Sequence, residues 1–288
     1  MKIAIASGKG GTGKTFISTN LFNTLRKSGK MVSLVDCDAE EPNDREFITG
    51  EFQRSFDVMQ KIPVIDENKC TYCGKCQEYC TYNAIFFVGE QRVIRVLEDY
   101  CHGCGACSVA CEYGAITEKD DLLGTVAIYA ISSNSSLIEA RMKVGVHSPV
   151  STIKEAIKIA DDAEISLLDS PPGTSCPFIQ TVSGADYVVL VTEPTPFGLS
   201  DLKQSVDTLK SMGKKCGVIV NRAGLGNDEV YQYLEQEKIP LLMSVPFDKS
   251  IAMTYSKGKL ISDESVEWEQ KFNQLFNNIL IQNGNSSN

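Results

Sequence analysis

Nine residues near the start of the chain, Ser7-Gly8-Lys9-Gly10-Gly11-Thr12-Gly13-Lys14-Thr15, restrict the fold more than any other stretch. Glycine, four residues and then Gly-Lys-Thr is the spacing of a phosphate-binding loop. Lys2 to Ala6 reads as a short buried strand, and Phe16 to Arg26 reads as a helix. Strand, glycine loop, helix is the setting that this motif needs. The glycines let backbone N–H groups curl around phosphate oxygens, and the helix points its positive end at them. Lys14 is expected to reach the outer phosphates, and the Thr15 hydroxyl to hold Mg²⁺.

The rest of the chain supplies a sheet for that loop. Met31 to Val35 reads as a second buried strand ending in Asp36-Cys37-Asp38. Acidic residues at the C-terminal end of a parallel strand lie beside the ligand site in open α/β sheets. Residues 44–59 are mixed and read as a loop or short strand leading out of the domain. Further strands are expected at Thr125–Ile131, Ile165–Leu168, Tyr187–Thr192, Gly217–Val220 and Leu241–Val245. Helices are expected at Val150–Ala160, Leu199–Ser211 and Asp228–Gln236. This alternation implies an α/β fold, a doubly wound, mostly parallel sheet with right-handed crossovers. A last helix, Val266–Leu280, places Trp268, Phe272, Leu275, Phe276 and Ile279 on one face. Its polar face is Glu, Gln and Asn with only Lys271, so it reads as core packing and not as a membrane foot. The Asn-Gly-Asn-Ser-Ser-Asn tail is expected to be disordered.

Between roughly residues 61 and 120 the texture changes to short apolar pieces, turns and cysteines. The expected organisation is therefore 1–60 and 121–288 for one domain, with 61–120 inserted. The chain has 288 residues and eleven cysteines. An odd number argues against a disulfide framework. Cys70, Cys73, Cys76 and Cys80 follow C-x₂-C-x₂-C-x₃-C, and Cys101, Cys104, Cys107 and Cys111 repeat it 31 residues later. Gly74 and Gly105, Tyr82 and Tyr113, Ala84 and Ala115, and Ile85 and Ile116 keep the same offset, so the insert is an internal repeat. Two structural zinc sites are the rival reading, but zinc sites usually pair two C-x₂-C knuckles across a longer spacer. Runs of four favour [4Fe–4S] clusters. Phe86-Phe87-Val88 and Val93-Ile94 read as a hairpin covering them. His102 reads as a surface or neighbouring group, since the cysteines already complete a ligand set.

Net charge is −9, which argues against nucleic-acid binding. No apolar run approaches a membrane span, and the chain opens directly into a strand without a signal segment. A cytoplasmic protein, with neither nucleic acid nor membrane as partner, is the expectation.

The cysteine repeat resembles bacterial-type two-cluster ferredoxins. The resemblance implies crossed ligand sets: Cys70, Cys73, Cys76 and Cys111 for one cluster, and Cys101, Cys104, Cys107 and Cys80 for the other. The family usually has Pro after the fourth cysteine, whereas Thr81 and Glu112 stand here. The phosphate loop, with its additional Lys9, is similar to the deviant loop of the MinD/ParA/Mrp/nitrogenase-iron-protein class. That likeness implies that Lys9 crosses a dimer interface to the partner's nucleotide, making ATP the link in a dimer of like chains or of paralogues. Asp36-Cys37-Asp38 resembles switch I, with Asp38 orienting the attacking water, Asp36 nearer the metal, and Asn43 matching a switch I asparagine. Leu168-Asp169-Ser170-Pro171-Pro172-Gly173 resembles switch II. There Asp169 would hold Mg²⁺ through water and the Gly173 N–H would sense the γ-phosphate, with Thr174 beside it in the nucleotide set. Asn221 and Arg222 resemble an adenine-recognising pair, and Pro246-Phe247-Asp248 the segment lining the base.

The order phosphate loop, switch I, ferredoxin insert, switch II resembles MinD-superfamily ATPases with an inserted ferredoxin domain. It implies an ATPase whose nucleotide-dependent dimerisation is coupled to electron transfer through two [4Fe–4S] clusters, toward a redox or Fe–S acceptor protein. Metal-cluster assembly, as in Mrp-like proteins, stays open beside it. A positioning ATPase of the MinD/ParA kind would want a membrane helix or basic surface, and neither is evident. A ferredoxin with a degenerate nucleotide domain is disfavoured by the intact loop and switches. Cys176, seven residues after Asp169, matches a switch II cysteine of the nitrogenase iron protein. A plain buried thiol is the simpler reading for both Cys176 and Cys37, and Cys216 reads as core.

Overall fold

The structure is a computed structural model and describes residues 1–284. The expectation of a disordered tail falls, from residue 285 on, outside the described residues. Along the chain the elements are β1 (Lys2–Ala6), α1 (Lys14–Lys27), β2 (Val32–Asp36), β3 (Glu51–Ile65), α2 (Lys75–Glu78), β4 (Ile85–Val88), β5 (Val93–Val96), α3 (Ala106–Ala110), β6 (Ile116–Ser132), β7 (Ser135–Met142), α4 (Val150–Ile159), β8 (Ile165–Asp169), α5 (Cys176–Ser183), β9 (Tyr187–Thr192), α6 (Pro196–Ser211), β10 (Cys216–Ala223), α7 (Glu229–Gln236), β11 (Leu241–Pro246), α8 (Lys249–Tyr255), α9 (Ile261–Glu264) and α10 (Val266–Asn283).

Two compact units emerge. The first holds Met1–Phe56, Val126–Arg141 and the chain from Val150 onward; the second holds Asp57–Thr125 and Met142–Pro149. The chain leaves the first unit within β3 and returns within β6. The boundaries expected at 61 and 120 therefore fall inside strands. A change of composition does not mark a strand's end, and the return segment Met142–Pro149 carries no cysteine to flag it.

The first unit is built on a sheet of order β11-β10-β9-β1-β8-β2-β7-β6-β3. Pairings from β11 through β7 are parallel. Strands β2, β8 and β9 are buried at every position, as expected for parallel strands covered on both faces by helices. The chain therefore folds as the mostly parallel α/β sheet that the alternation predicts. Helix α10 packs its apolar stripe into the core, with Trp268, Phe272, Leu275, Phe276 and Ile279 all buried. Phe16 of α1 meets Trp268 and Phe272 edge-on, at centroid separations of 6.4 and 6.1 Å. This ties the helix after the phosphate loop to the end of the chain.

Several elements differ from expectation. Residues 51–65 form one long strand where a loop or short strand was expected. Its first five positions are exposed, and β3 sits at the sheet edge, so no apolar alternation marks it. Strand β7 and helices α5, α8 and α9 were not anticipated either. The helices are short, at most eight residues, too few for a 3.6-residue period to show.

The second unit has a small core. Cys76, Ile85 and Ile94 are buried, with Ile65, Tyr72, Phe87 and Ile116 packed around them. Strands β4 and β5 pair antiparallel, Phe87 opposite Ile94, as the sequence predicts. Helices α2 and α3 are preceded by Gly74 and Gly105, both left-handed, with φ of 77° and 72°. The repeat in sequence is thus a repeat in backbone.

Candidate functional site

The phosphate loop lies at the C-terminal end of β1. Gly13 precedes α1 with φ of 99°, and no side chain caps that helix. Its first N–H groups are free to meet an anion. Three of the loop glycines have a steric or backbone reason. A Cβ on Gly8 would stand 2.6 Å from the Asp201 carbonyl oxygen. One on Gly13 would stand 2.3 Å from Asn221 Nδ2. Gly11 is left-handed with open space around it, and Gly10 meets only Pro172 at 3.9 Å. Thr12 is buried, and its hydroxyl has no partner.

Lys14 is buried and donates to Ser7 Oγ at 3.1 Å. Burial lowers its pKa, while Asp169 and Asp38 raise it, so both acidic residues face this ammonium. Thr15 Oγ1 donates to Asp169 Oδ2 at 2.8 Å and lies 3.1 Å from Asn43 Oδ1. The structure thus gathers Lys14, Thr15, Asn43 and Asp169 at the mouth of the loop. Asp38 is half-buried, and burial raises its carboxyl pKa. Asp36, expected beside the metal, has another task. Its Oδ1 accepts the Asp38 N–H at 3.1 Å, and its Oδ2 accepts those of Asn43 at 2.8 Å and Asp44 at 3.0 Å. Both oxygens are committed to the backbone of the loop that carries Asn43, so Asp36 acts by holding that loop.

Asp169 is buried, and its pKa is pushed up to about 6, first by desolvation, against the pull of Lys14 and Thr15. Its Oδ1 has no hydrogen-bond partner. Gly173, with φ of 90°, donates its N–H to the Ser7 carbonyl at 3.1 Å. That bond must open before the N–H can meet a phosphate. Thr174 follows it in the same turn, half-buried.

On the far side of the loop, Asn221 Nδ2 donates to the Thr12 carbonyl at 2.7 Å. Arg222 lies 3.4 Å from the Gly11 carbonyl and pairs with Glu193 at 2.6 Å. Glu193 also holds Lys9, at 3.5 Å. Lys9 is thus paired inside its own chain. Pro246 ends β11 opposite Ala223, and Asp248 caps α8 by accepting the Ser250 N–H at 2.7 Å.

Two residues gathered here escaped the sequence reading. Glu193 follows β9, and the rule that picked out Asp36 and Asp169, an acid at a parallel strand's end, would have found it. Asp44 lies in a polar stretch that reads as solvated loop, and nothing in the sequence marks it as buried.

In the second unit the cysteines line two recesses. One is framed by Cys70, Cys73, Cys76 and Cys111. The other is framed by Cys80, Cys101, Cys104 and Cys107. Backbone donors to sulfur repeat with the 31-residue offset. Tyr72 N–H and Gly103 N–H each lie 3.4 Å from Cys70 and Cys101 Sγ. Ala84 N–H lies 3.3 Å from Cys80 Sγ, and Ala115 N–H 3.4 Å from Cys111 Sγ. His102 stacks on Tyr82 at 3.9 Å at the rim of the second recess. Among the described residues no three His, Cys, Asp or Glu side chains converge closely enough to share a single metal ion. Cys176 is exposed at the start of α5, contrary to the buried thiol expected. Cys37 is fully buried, and desolvation pushes its thiol pKa well up. Cys216 is only partly buried, its thiol pushed up to about 11. No helix among the described residues is long and apolar enough to cross a membrane.

Residues 3–261 match the family described as the CobQ/CobB/MinD/ParA nucleotide binding domain. The uncharacterized protein MJ0579 of Methanocaldococcus jannaschii is 32% identical over 264 residues, 90% of each chain. An iron-sulfur cluster carrier protein of Methanococcus maripaludis is 21% identical over 97% of this chain and 84% of its own. Among solved structures, the cell division ATPase MinD of Pyrococcus furiosus superposes with a TM-score of 0.58 at 20% identity, covering 96% of this chain and 97% of its own.

Proposed function

The chain belongs to the CobQ/CobB/MinD/ParA family of nucleotide-binding proteins, and from that premise we propose that it is an ATPase whose nucleotide cycle governs electron transfer through two [4Fe–4S] clusters. ATP binding follows from the family. Hydrolysis, dimerisation and the clusters are the reading offered here.

One observation carries it. Eight cysteines frame two recesses in crossed sets, three from one run and the fourth from the other, on a chain that also bears the Lys9-containing phosphate loop. Thiols and backbone N–H donors suit an iron–sulfur cubane, whose potential depends on hydrogen bonds to its sulfurs. The small core of the second unit is consistent with this, since small domains often add a metal or disulfides to a limited core. When bound, such clusters supply one-electron carriers.

In the nucleotide site Lys14 and the N-terminus of α1 bind the phosphates. Thr15 and Asp169 fit a Mg²⁺ ion: the Asp169 Oδ1 is buried without a partner, and a hydroxyl beside a carboxylate is a hard-cation donor set. Asp38, half-buried and facing Lys14, would orient water for attack. Lys9 leaves Glu193 to reach a second chain's nucleotide.

A second reading, delivery of a cluster to an acceptor protein, is favoured by the likeness to the iron-sulfur cluster carrier. Anaerobic reconstitution followed by mixing with an apo-acceptor separates the two. Reduction of the acceptor without loss of iron supports electron transfer; movement of iron supports delivery. ATP turnover of wild type against Lys14→Ala tests hydrolysis, and equal turnover would place it elsewhere.

A further inference from the structure

Asp44 is fully buried, no N–H or hydroxyl among the described residues donates to its carboxylate oxygens, and its side chain meets the Asp169 carboxyl. A buried carboxylate costs several kcal/mol unless a proton or a cation neutralises it. Such a residue persists where something offsets it. Its backbone N–H is held by Asp36 Oδ2 at 3.0 Å. The charges that bear on it are Asp36, Asp169 and Glu139, all acidic. The nearby ammonium of Lys14 acts on Asp169 and is bonded to Ser7. Three buried carboxylates, Asp36, Asp44 and Asp169, thus face one buried cation.

Asp36 is already satisfied by three backbone N–H groups. Asp44 Oδ1 and Oδ2 and Asp169 Oδ1 receive no N–H or hydroxyl donor, and the two carboxyls face each other. Next to them is the Thr15 hydroxyl, bonded to Asp169 and to Asn43, the residue immediately before Asp44. Two carboxylates and a hydroxyl are the hard-oxygen donors that Mg²⁺ or Mn²⁺ takes from a protein, with water and phosphate filling the remaining positions.

We infer that Asp44 completes a divalent-cation site with Asp169 and Thr15, preformed before nucleotide arrives, so that Mg²⁺ or Mn²⁺ binds the free chain and is held more tightly in the nucleotide complex. The inference rests on the nucleotide site proposed above and adds a ligand to it. It also explains the role of Asp36, whose bonds to the N–H groups of residues 43 and 44 place the asparagine and the carboxylate together.

The test uses the full chain and Mn²⁺ as the probe, with free Mn²⁺ followed by electron paramagnetic resonance. In the presence of ADP, Asp44→Asn should weaken Mn²⁺ binding by about 10- to 100-fold, while ADP binding in EDTA stays within about twofold of wild type. Unchanged Mn²⁺ affinity in Asp44→Asn overturns the inference. If that variant does not fold, wild type decides: millimolar Mn²⁺ without nucleotide should raise its Tm, and an unmoved Tm overturns the preformed site. ADP binding to wild type in EDTA reads the nucleotide site separately, so a failure there points to that reading and not to Asp44.

Discussion

Lys9 is held by Glu193 of its own chain at 3.5 Å. The same carboxylate holds Arg222 at 2.6 Å, and Arg222 in turn approaches the Gly11 carbonyl. Glu193 therefore joins the loop lysine to the residue expected to meet the base. Lys9 is about one-third exposed, and a pair of this kind contributes about 0–1 kcal/mol. A partner's nucleotide can compete with a bond that weak.

Substitution of Lys9 by alanine should therefore leave ATP binding intact and abolish ATP-dependent dimerisation. Light scattering of the eluting protein, with and without ATP, reads this. A Lys9→Ala protein that still doubles in mass with ATP would contradict the assignment of Lys9 to a dimer contact.

The crossed cysteine sets make an asymmetric prediction. Cys111→Ser should disturb the cluster on Cys70, Cys73 and Cys76 and spare the one on Cys80, Cys101, Cys104 and Cys107. Iron and sulfide after anaerobic reconstitution should fall to about half. Cys80→Ser should do the reverse, leaving a different signal behind. If Cys111→Ser instead perturbs the set on its own run, the pairing is uncrossed.

Stability should depend on pH through the buried carboxylates. The Asp169 pKa rises from 3.8 in the unfolded chain to about 6 when folded, and those of Asp36 and Asp44 move the same way. Between those values the folded chain binds more protons, so stability is lost as pH rises through the window. In metal-free protein Tm should fall from pH 4 to pH 7, roughly the window set by these shifts. The acidic surface pushes the same way, so the informative comparison is with Asp44→Asn, which should show the shallower slope. Identical slopes would show that these carboxylates do not set it.

Packing gives a simpler prediction. Phe272 is fully buried and stands edge-on to Phe16. Phe272→Ala should destabilise the chain by about 3–5 kcal/mol, measured by urea unfolding, with the larger cost if the cavity does not collapse.

How far these features are legible in the sequence depends on what carries each one. Buried parallel strands announce themselves as apolar runs, and the acids at their ends mark the site; hence β1, β2 and β8, with Lys14, Thr15, Asp36 and Asp169, are readable. The eight cysteines are readable because their spacing repeats. Edge strand β3 is not, because its exposed residues lack alternation. Asp44 is not, because burial of a loop carboxylate depends on the turn that Asp36 holds in place. Asp36 itself was read as a metal neighbour because sequence shows its position and not its partners. Glu193 was missed although its position obeys the strand-end rule.

The central claim is that the nucleotide governs electron flow through the insert. Its most direct test is the anaerobic rate at which dithionite-reduced, reconstituted protein passes electrons to a viologen, measured with ATP, with ADP and without nucleotide. The account predicts a rate that changes with ATP in wild type and does not change in Lys14→Ala. Equal rates in all three nucleotide states of wild type would contradict it.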